Sequence, residues 1–326
     1  MKPILIIDGM NLLFRAGFTT GFLTLPDGSP CGAAWGFIRS TLAAYRSTVG
    51  KTGGKVAVVW DGGRSPRRLT MFPTYKNYGA RLGSPDPNDT RANMKREERQ
   101  MIFEQLPLIQ QLLSFLGVDQ YQRTDVEADD VISALTAGLA DDRSVVILSS
   151  DNDFRQLVSD SVTLVHGNGE VVRKEDVPFR GDEVTVKCLH GCNSDAIPGL
   201  KGMGDVTARR LIGWIRNELY GPSRAITLED LKELPDLIQK ARTKPFGRVK
   251  AAVKIITEHG LEIPVRNQSL VDLSVPLEWE EVWDAATTPW TGNDMKSFVY
   301  ECGKMAWNSM LNDLEDFEKM AFNSPV

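Results

Sequence analysis

Three short runs of branched and aliphatic residues, Ile4–Ile7, Val56–Trp60 and Val145–Leu148, each give way at once to polar or acidic residues. They read as buried parallel strands. Helical stretches lie between them, Glu98–Leu116 and Ala128–Leu139 included, so strands and helices alternate. That alternation predicts an α/β fold with a central, mostly parallel sheet flanked by helices. Ligands of such sheets gather at the carboxyl ends of the strands. The acids fall there: Asp8 after the first run, Asp61 after the second, Asp151 and Asp153 after the third.

A further acidic group, Glu127-Ala128-Asp129-Asp130, opens a helix. Glu127 and Asp130 are three apart and share a helix face, with Asp129 one step around. Taken singly, each acid is an ordinary cap or turn residue. Taken together, seven carboxylates at one edge of one sheet repel one another unless cations neutralise them. All-oxygen ligands select hard ions such as Mg²⁺ or Mn²⁺ over zinc. Two such ions about 3.5 to 4 Å apart can clamp a phosphodiester, activate a water and stabilise the leaving oxygen.

A net charge of −5 over 326 residues is unusual for a protein that holds nucleic acid, but the charge is unevenly spread. Arg64–Arg99 carries nine Lys/Arg against four Asp/Glu, and Lys201–His259 twelve against seven. Beyond Leu277 the balance is three against ten. The basic segments are suited to phosphates. Cys31, Cys188, Cys192 and Cys302 form neither a disulfide framework nor a zinc-type pair and are expected as reduced thiols. No apolar stretch approaches the ~20 residues of a spanning helix, and the first residues lack a secretory pattern. The expected location is the cytoplasm of a bacterium or of a phage-infected host, with no membrane association.

The segment Tyr78–Arg99, with Gly79, Gly83, Pro85 and Pro87, reads as a crossing loop with a helical second half, and after Gly191 short helices are punctuated by Gly and charged residues. The expected division is an α/β core over 1–190, with an arch at about 70–105, and a helical region over 191–326 ending in an acidic tail. Five of the seven tryptophans lie at or after Trp214. Trp279, Trp283, Trp290 and Trp307 are expected to pack as core or to cover the sheet.

Four segments in order, Ile6-Ile7-Asp8-Gly9-Met10-Asn11, Glu127-Ala128-Asp129-Asp130, Ser150-Asp151-Asn152-Asp153 and Ile197-Pro198-Gly199-Leu200-Lys201-Gly202-Met203-Gly204, carry a resemblance. With them the chain resembles the 5′ nuclease (flap endonuclease) family, in the style of bacteriophage 5′-3′ exonucleases and the N-terminal nuclease domain of bacterial DNA polymerase I. The likeness runs from Ile4 to about Ile212. Asp61-Gly62-Gly63-Arg64-Ser65-Pro66-Arg67-Arg68-Leu69, leading to Pro73-Thr74-Tyr75-Lys76, sharpens it. The resemblance implies a PIN-like 5′ nuclease fold with a helical arch and a helix-hairpin-helix at about 196–216.

It also implies roles. Lys76, at the base of the arch, reaches the scissile phosphate with Arg68 assisting; the plain alternative for Lys76 is a solvated loop lysine. Asp8, Asp61, Glu127, Asp129 and Asp130 surround a first metal, with Asp130 essential to catalysis. Asp151 lies near both metals, and Asp153 and Asp195 belong to a second. Two Mg²⁺ ions are implied, with Mn²⁺ as a substitute. The family keeps an arginine three residues after the lysine; Gly79 stands there, and Arg81 is the neighbouring candidate. Where the family reads Gly-Asp-x-Ser-Asp-Asn, this chain reads Gly191-Cys192-Asn193-Ser194-Asp195-Ala196. Cys192 replaces a carboxylate, and a thiol is a poor Mg²⁺ ligand, so the second ion is expected to bind more weakly or to prefer Mn²⁺.

Gly199, Lys201, Gly202 and Gly204, followed by a helix carrying Arg209, are expected to bring backbone amides and a positive helix end to a DNA phosphate. A tight turn between packed helices is the alternative. In relatives such a hairpin also holds K⁺. Phe72, Tyr75 and Tyr78 interleave with Arg67, Arg68 and Lys76, a composition suited to stacking unpaired bases, or equally to anchoring a core. Lys232–Lys254 is a second basic stretch, either a duplex grip or a solvated face. The expected function is a monomeric, structure-specific 5′-3′ exonuclease or flap endonuclease acting on DNA at 5′ junctions in replication or repair. The rivals are removal of RNA primers from RNA·DNA hybrids, and a junction-binding accessory weakened in catalysis. His166, His190 and His259 lie outside the motifs.

Overall fold

The structure, a computed structural model, describes residues 1–76, 89–221, 224–274 and 293–321. Tyr78, Gly79, Arg81, the middle of the expected arch, Trp279, Trp283 and Trp290 lie outside the described residues. The chain forms two compact units. The first comprises Met1–Gly63, Pro85–Asp176 and Pro276–Val326, the second Arg64–Ser84 and Val177–Val275. These units divide the chain differently from a cut at 190/191: the C-terminal helices join the sheet unit, and 64–84 joins the helical one.

In the first unit six strands, β1 (Ile4–Asp8), β2 (Lys55–Val59), β3 (Asp119–Tyr121), β4 (Val145–Leu148), β5 (Val162–Val165) and β6 (Val171–Val172), form a sheet of order β3-β2-β1-β4-β5-β6. All neighbours run parallel except β5 and β6. β1 lies at the centre with every apolar residue from Ile4 to Ile7 fully buried, which is why it reads as a continuous apolar run rather than an alternation. Leu5 and Ile7 face one apolar core, shared with the helices Gly9–Thr20, Gly32–Ser47 and Leu106–Phe115. The helix Ala128–Leu139, as expected from its pattern, packs on β1 and β2. The expected helix Glu98–Leu116 is two helices, Thr90–Phe103 and Leu106–Phe115. Pro107 explains the break, because proline is tolerated in a first helical turn and not in an interior. Gln105, at the junction, accepts the Ala34 amide at 3.0 Å. The C-terminal helices Met295–Lys304 and Leu314–Ala321 lie on this same core through Phe298, Cys302 and Phe317, and Trp307, in the segment between them, packs as core.

The second unit is helical around its own core. Helix Glu262–Val271 packs on Arg180–His190 and on Pro66–Met71, and helix Gly247–His259 packs on Asp205–Ile215. A two-stranded hairpin, β7 (Gly191–Cys192) with β8 (Ile197–Pro198), follows Arg180–His190 directly. Its base requires glycine twice: a Cβ on Gly191 would sit 2.3 Å from the Gly199 nitrogen, and one on Gly199 2.1 Å from the His190 carbonyl carbon. Asn267, fully buried, donates to the carbonyls of Cys188 and Pro198 at 3.0 and 2.9 Å and so ties helix to hairpin.

Candidate metal centre

Asp8 closes β1 and caps the next helix, its carboxylate accepting from the Asn11 amide at 3.1 Å and from the Ser149 hydroxyl at 2.8 Å. Burial pushes its carboxyl up to about 7, against the lowering effect of those two donors, and the negative charges of Asp61 and Asp151 push it further the same way. These three acids therefore feel one another. They come from the ends of β2, β1 and β4, adjacent strands in the sheet. Asp151 in turn caps a short 3₁₀ turn, accepting from the Asp153 amide at 2.8 Å, while its own amide donates to the Ser149 hydroxyl at 3.1 Å.

Asp61 is brought to the acidic helix by backbone pairing between two loops. The Gly62 amide donates to the Val126 carbonyl at 2.9 Å and the Asp125 amide to the Gly62 carbonyl at 3.0 Å. A Cβ on Gly62 would lie 1.6 Å from the Arg123 carbonyl oxygen, so only glycine allows the approach. Asp61 Oδ1 then accepts the Ala128 amide at 2.9 Å, satisfying one of the free donors at the start of helix Ala128–Leu139. Glu127 occupies the N-cap position of that helix without a side-chain capping bond and is 1% exposed; Asp129 and Asp130 stand in its first turn, half-buried. A carboxylate so deeply buried among other acids requires compensation by positive charge or by hydrogen bonds.

The remaining expected residues lie in the second unit. In the β7–β8 hairpin Cys192 is buried, its Sγ 2.8 Å from Ser194 Oγ and donating to Asp195 Oδ2 at 3.0 Å. Burial, then the Asp195 charge, pushes the thiol up, so it stays protonated and acts as a donor. The Lys76 amide donates to the Asp195 carbonyl at 2.9 Å, and its Nζ stands 4.0 Å from Asp195 Oδ1.

Arg68 and Tyr75 are placed differently from expectation. Arg68 is 1% exposed and donates from Nε to the Leu270 carbonyl at 3.0 Å, with its guanidinium 5.8 Å from the Tyr75 ring. Tyr75 is 2% exposed in the apolar core. Both anchor the unit rather than face solvent; the core-anchor alternative describes them. Arg67 is exposed.

The turn that starts at Gly199 leaves Lys201, Gly202 and Gly204 exposed, with Gly202 at φ 87° and Gly204 capping helix Asp205–Ile215. Gly199 itself serves the hairpin base. Arg209 is engaged by Glu183 through both terminal nitrogens at 2.9 and 2.8 Å, and by Asp205 at 2.9 Å. These two acids neutralise it where a phosphate contact was expected.

Three residues of the acidic centre were not singled out from the sequence. Ser149 bridges Asp8 and Asp151. Asn11 Oδ1 accepts the Ser150 amide at 3.0 Å, joining the β1 and β4 loops. His166 donates from Nδ1 to the Ser149 carbonyl at 2.9 Å and holds that loop from β5. Asn11 stands inside a quoted motif and Ser149 directly before one, where a polar residue near an acid is the available signal. His166 has none, because its neighbour is distant in sequence.

Residues 3–187 match the family described as 5′-3′ exonuclease, N-terminal resolvase-like domain. The chain is similar to the 5′-3′ exonuclease of Bacillus subtilis (strain 168), 30% identical over 225 residues that cover 65% of this chain and 70% of that protein. It is 32% identical over 215 residues to the thermostable DNA polymerase I of Thermus thermophilus, covering 64% of this chain and 24% of the polymerase. The chain thus spans about a quarter of the length of the polymerase relatives it matches. In fold it is similar to T5 5′-exonuclease solved with zinc bound, with a TM-score of 0.59 and 19% identity over 93% of this chain and 99% of that one. Among the described residues no helix is long and apolar enough to cross a membrane.

Proposed function

The chain belongs to the 5′-3′ exonuclease family, through its N-terminal resolvase-like domain, and from that premise we propose a metal-dependent, structure-selective 5′ nuclease. It would hydrolyse DNA phosphodiesters near 5′ ends or at single-strand/duplex junctions, in replication or repair. The observation that carries this reading is the gathering of Asp8, Asp61 and Asp151 at one sheet edge, close enough that the latter two raise the Asp8 carboxyl.

The donors in that centre are carboxylate oxygens, which fits hard divalent cations. Asp8, Asp61, Glu127, Asp129, Asp130, Asp151 and Asp153 would hold Mg²⁺, with Asp195 contributing to a second ion and Mn²⁺ able to substitute. The chemistry such ions supply when bound is neutralisation of charge on phosphoryl oxygens and acidification of water.

The chain's own residues orient and bind. Ser149 and the Asn11 amide aim Asp8, the Ala128 amide aims Asp61, and the Asp153 amide aims Asp151. Lys76 offers an ammonium to the phosphate. Lys201, Arg248, Lys250 and Lys254 are exposed, and helix Gly247–His259 carries three of them. Such cations grip the phosphate backbone without reading bases, so recognition follows substrate shape and is salt-sensitive.

The test is cleavage of 5′-labelled flap, nicked-duplex and RNA·DNA hybrid substrates with Mg²⁺, with Mn²⁺ and with a chelator. Metal-dependent release from the DNA flap or nick is expected. Cleavage of the hybrid alone would replace the DNA reading by primer removal, and binding without hydrolysis of any substrate would replace it by a junction-binding role.

A further inference from the structure

Lys76 is held at both ends by one residue. Its amide donates to the Asp195 carbonyl at 2.9 Å, and its Nζ stands 4.0 Å from Asp195 Oδ1. Its backbone has φ 47°, a left-handed conformation that a non-glycine residue keeps only where surrounding contacts hold it. The ammonium also lies 5.6 Å from the ring of Tyr75, which is buried in the core. Both Lys76 and Asp195 are largely shielded, with side chains 19% and 16% exposed, so their attraction is less screened than that of a surface pair.

The other oxygen of Asp195 is taken by Cys192. The β7–β8 pairing sets Cys192 opposite Ile197, and the turn between them folds Asp195 back until Oδ2 accepts from the thiol at 3.0 Å. A carboxylate in place of Cys192 would bring a second negative charge to that oxygen and compete for the lysine. The thiol donates instead, leaving Oδ1 to face Lys76.

We propose that Asp195, steered by the Cys192 thiol, is a positioning residue for Lys76: the hairpin fixes where the ammonium stands before substrate or metal arrives. This deepens the proposed nuclease site and rests on that reading only for the use to which the lysine is put.

The test therefore needs neither DNA nor metal. In chelator-containing buffer, the rate at which trinitrobenzenesulfonate modifies each lysine is followed by peptide mass spectrometry, in the full chain and in Asp195→Asn, Cys192→Ala and Cys192→Ser variants of matched Tm. Asp195→Asn is expected to speed Lys76 modification about three- to tenfold, the size of a lost, partly shielded ion pair. Cys192→Ala should speed it less, and Cys192→Ser, which keeps a donor, should return it towards the parent rate. Lys201 and Lys250, exposed and outside the hairpin, should not change. Unchanged Lys76 reactivity in Asp195→Asn overturns the proposal. A parallel rise at Lys201 and Lys250 also overturns it, because the hairpin would then be acting only as a scaffold. Either failure leaves the cleavage assay to judge the nuclease reading on its own.

Discussion

Ser149 donates its hydroxyl to Asp8 and accepts the amide of Asp151, so a single uncharged side chain sets the spacing of two acids. Ser149→Ala would free both, and the Mg²⁺ concentration for half-maximal cleavage should rise several-fold, the range of lost support behind a metal ligand; an unchanged Mg²⁺ titration would separate Ser149 from the metal centre. Asp130→Ala should abolish cleavage while leaving junction binding near the parent value, since it removes a carboxylate from the acidic helix start and no cation from the chain. Gel-shift and cleavage assays on the same flap decide this, and near-normal turnover would defeat the assignment. Cys192→Asp places a second carboxylate against Asp195. The metal needed for activity should fall, and Mg²⁺ should raise the Tm of the variant more than that of the parent; a poorer titration would mean that the thiol is better suited to this hairpin than the acid.

At the level of elements, the acids are aimed by loops as much as by strands. The Gly62 loop pairs with the segment before helix Ala128–Leu139, and Gly62→Ala would drive a methyl into the Arg123 carbonyl. A destabilisation of about 2 to 4 kcal/mol is expected in denaturant unfolding, the scale of strain at a closed backbone approach; a loss below that of an exposed Gly→Ala change would show the loop free to yield. In the second unit, helix Leu228–Lys232 starts with a capping box of Thr227 and Asp230. The Arg224 guanidinium, followed by the Thr227 amide and hydroxyl, holds the Asp230 carboxyl down at about 2, against the raising effect of partial burial. A depressed carboxyl stabilises the fold fully above its ordinary value of 3.8 and loses that contribution as pH falls towards 2. Asp230→Asn should cost about 1 kcal/mol near neutrality and progressively less below pH ~4, as read from unfolding curves across pH. The central strands were legible because a run such as Ile4–Ile7 is buried on both faces. β3, Asp119-Gln120-Tyr121, was not, because it is an edge strand without a continuous apolar run.

Over the whole chain, a net charge of −5 coexists with exposed cations concentrated in the second unit's loops and helices. Binding to a DNA junction should therefore weaken steeply with salt. Lys201→Ala and Lys250→Ala should each reduce the slope of log K against log salt by about 1, without changing preference among sequences. A slope unaltered in both would move the phosphate path elsewhere. The tail after Leu277 is acidic, yet in its described part Phe298, Trp307 and Phe317 are core residues of the sheet unit while Asp294, Glu315 and Glu318 are exposed.

By itself the sequence determined the strand-ending acids, the acidic helix start and the order of the segments around them. Each of these is a local pattern of an apolar run, a turn and a carboxylate, and tertiary packing leaves such patterns in place. Only the tertiary structure decided which basic and aromatic residues are available to a ligand. Arg68 is buried because the Leu270 carbonyl meets it from 202 residues away and Tyr75 because a helical core closes around it, while Arg209, though exposed, is paired with Glu183 and Asp205. It likewise decided that Cys192 donates to Asp195, whose other oxygen faces Lys76. Burial and pairing depend on what arrives from elsewhere in the chain, and no spacing within a motif carries that information.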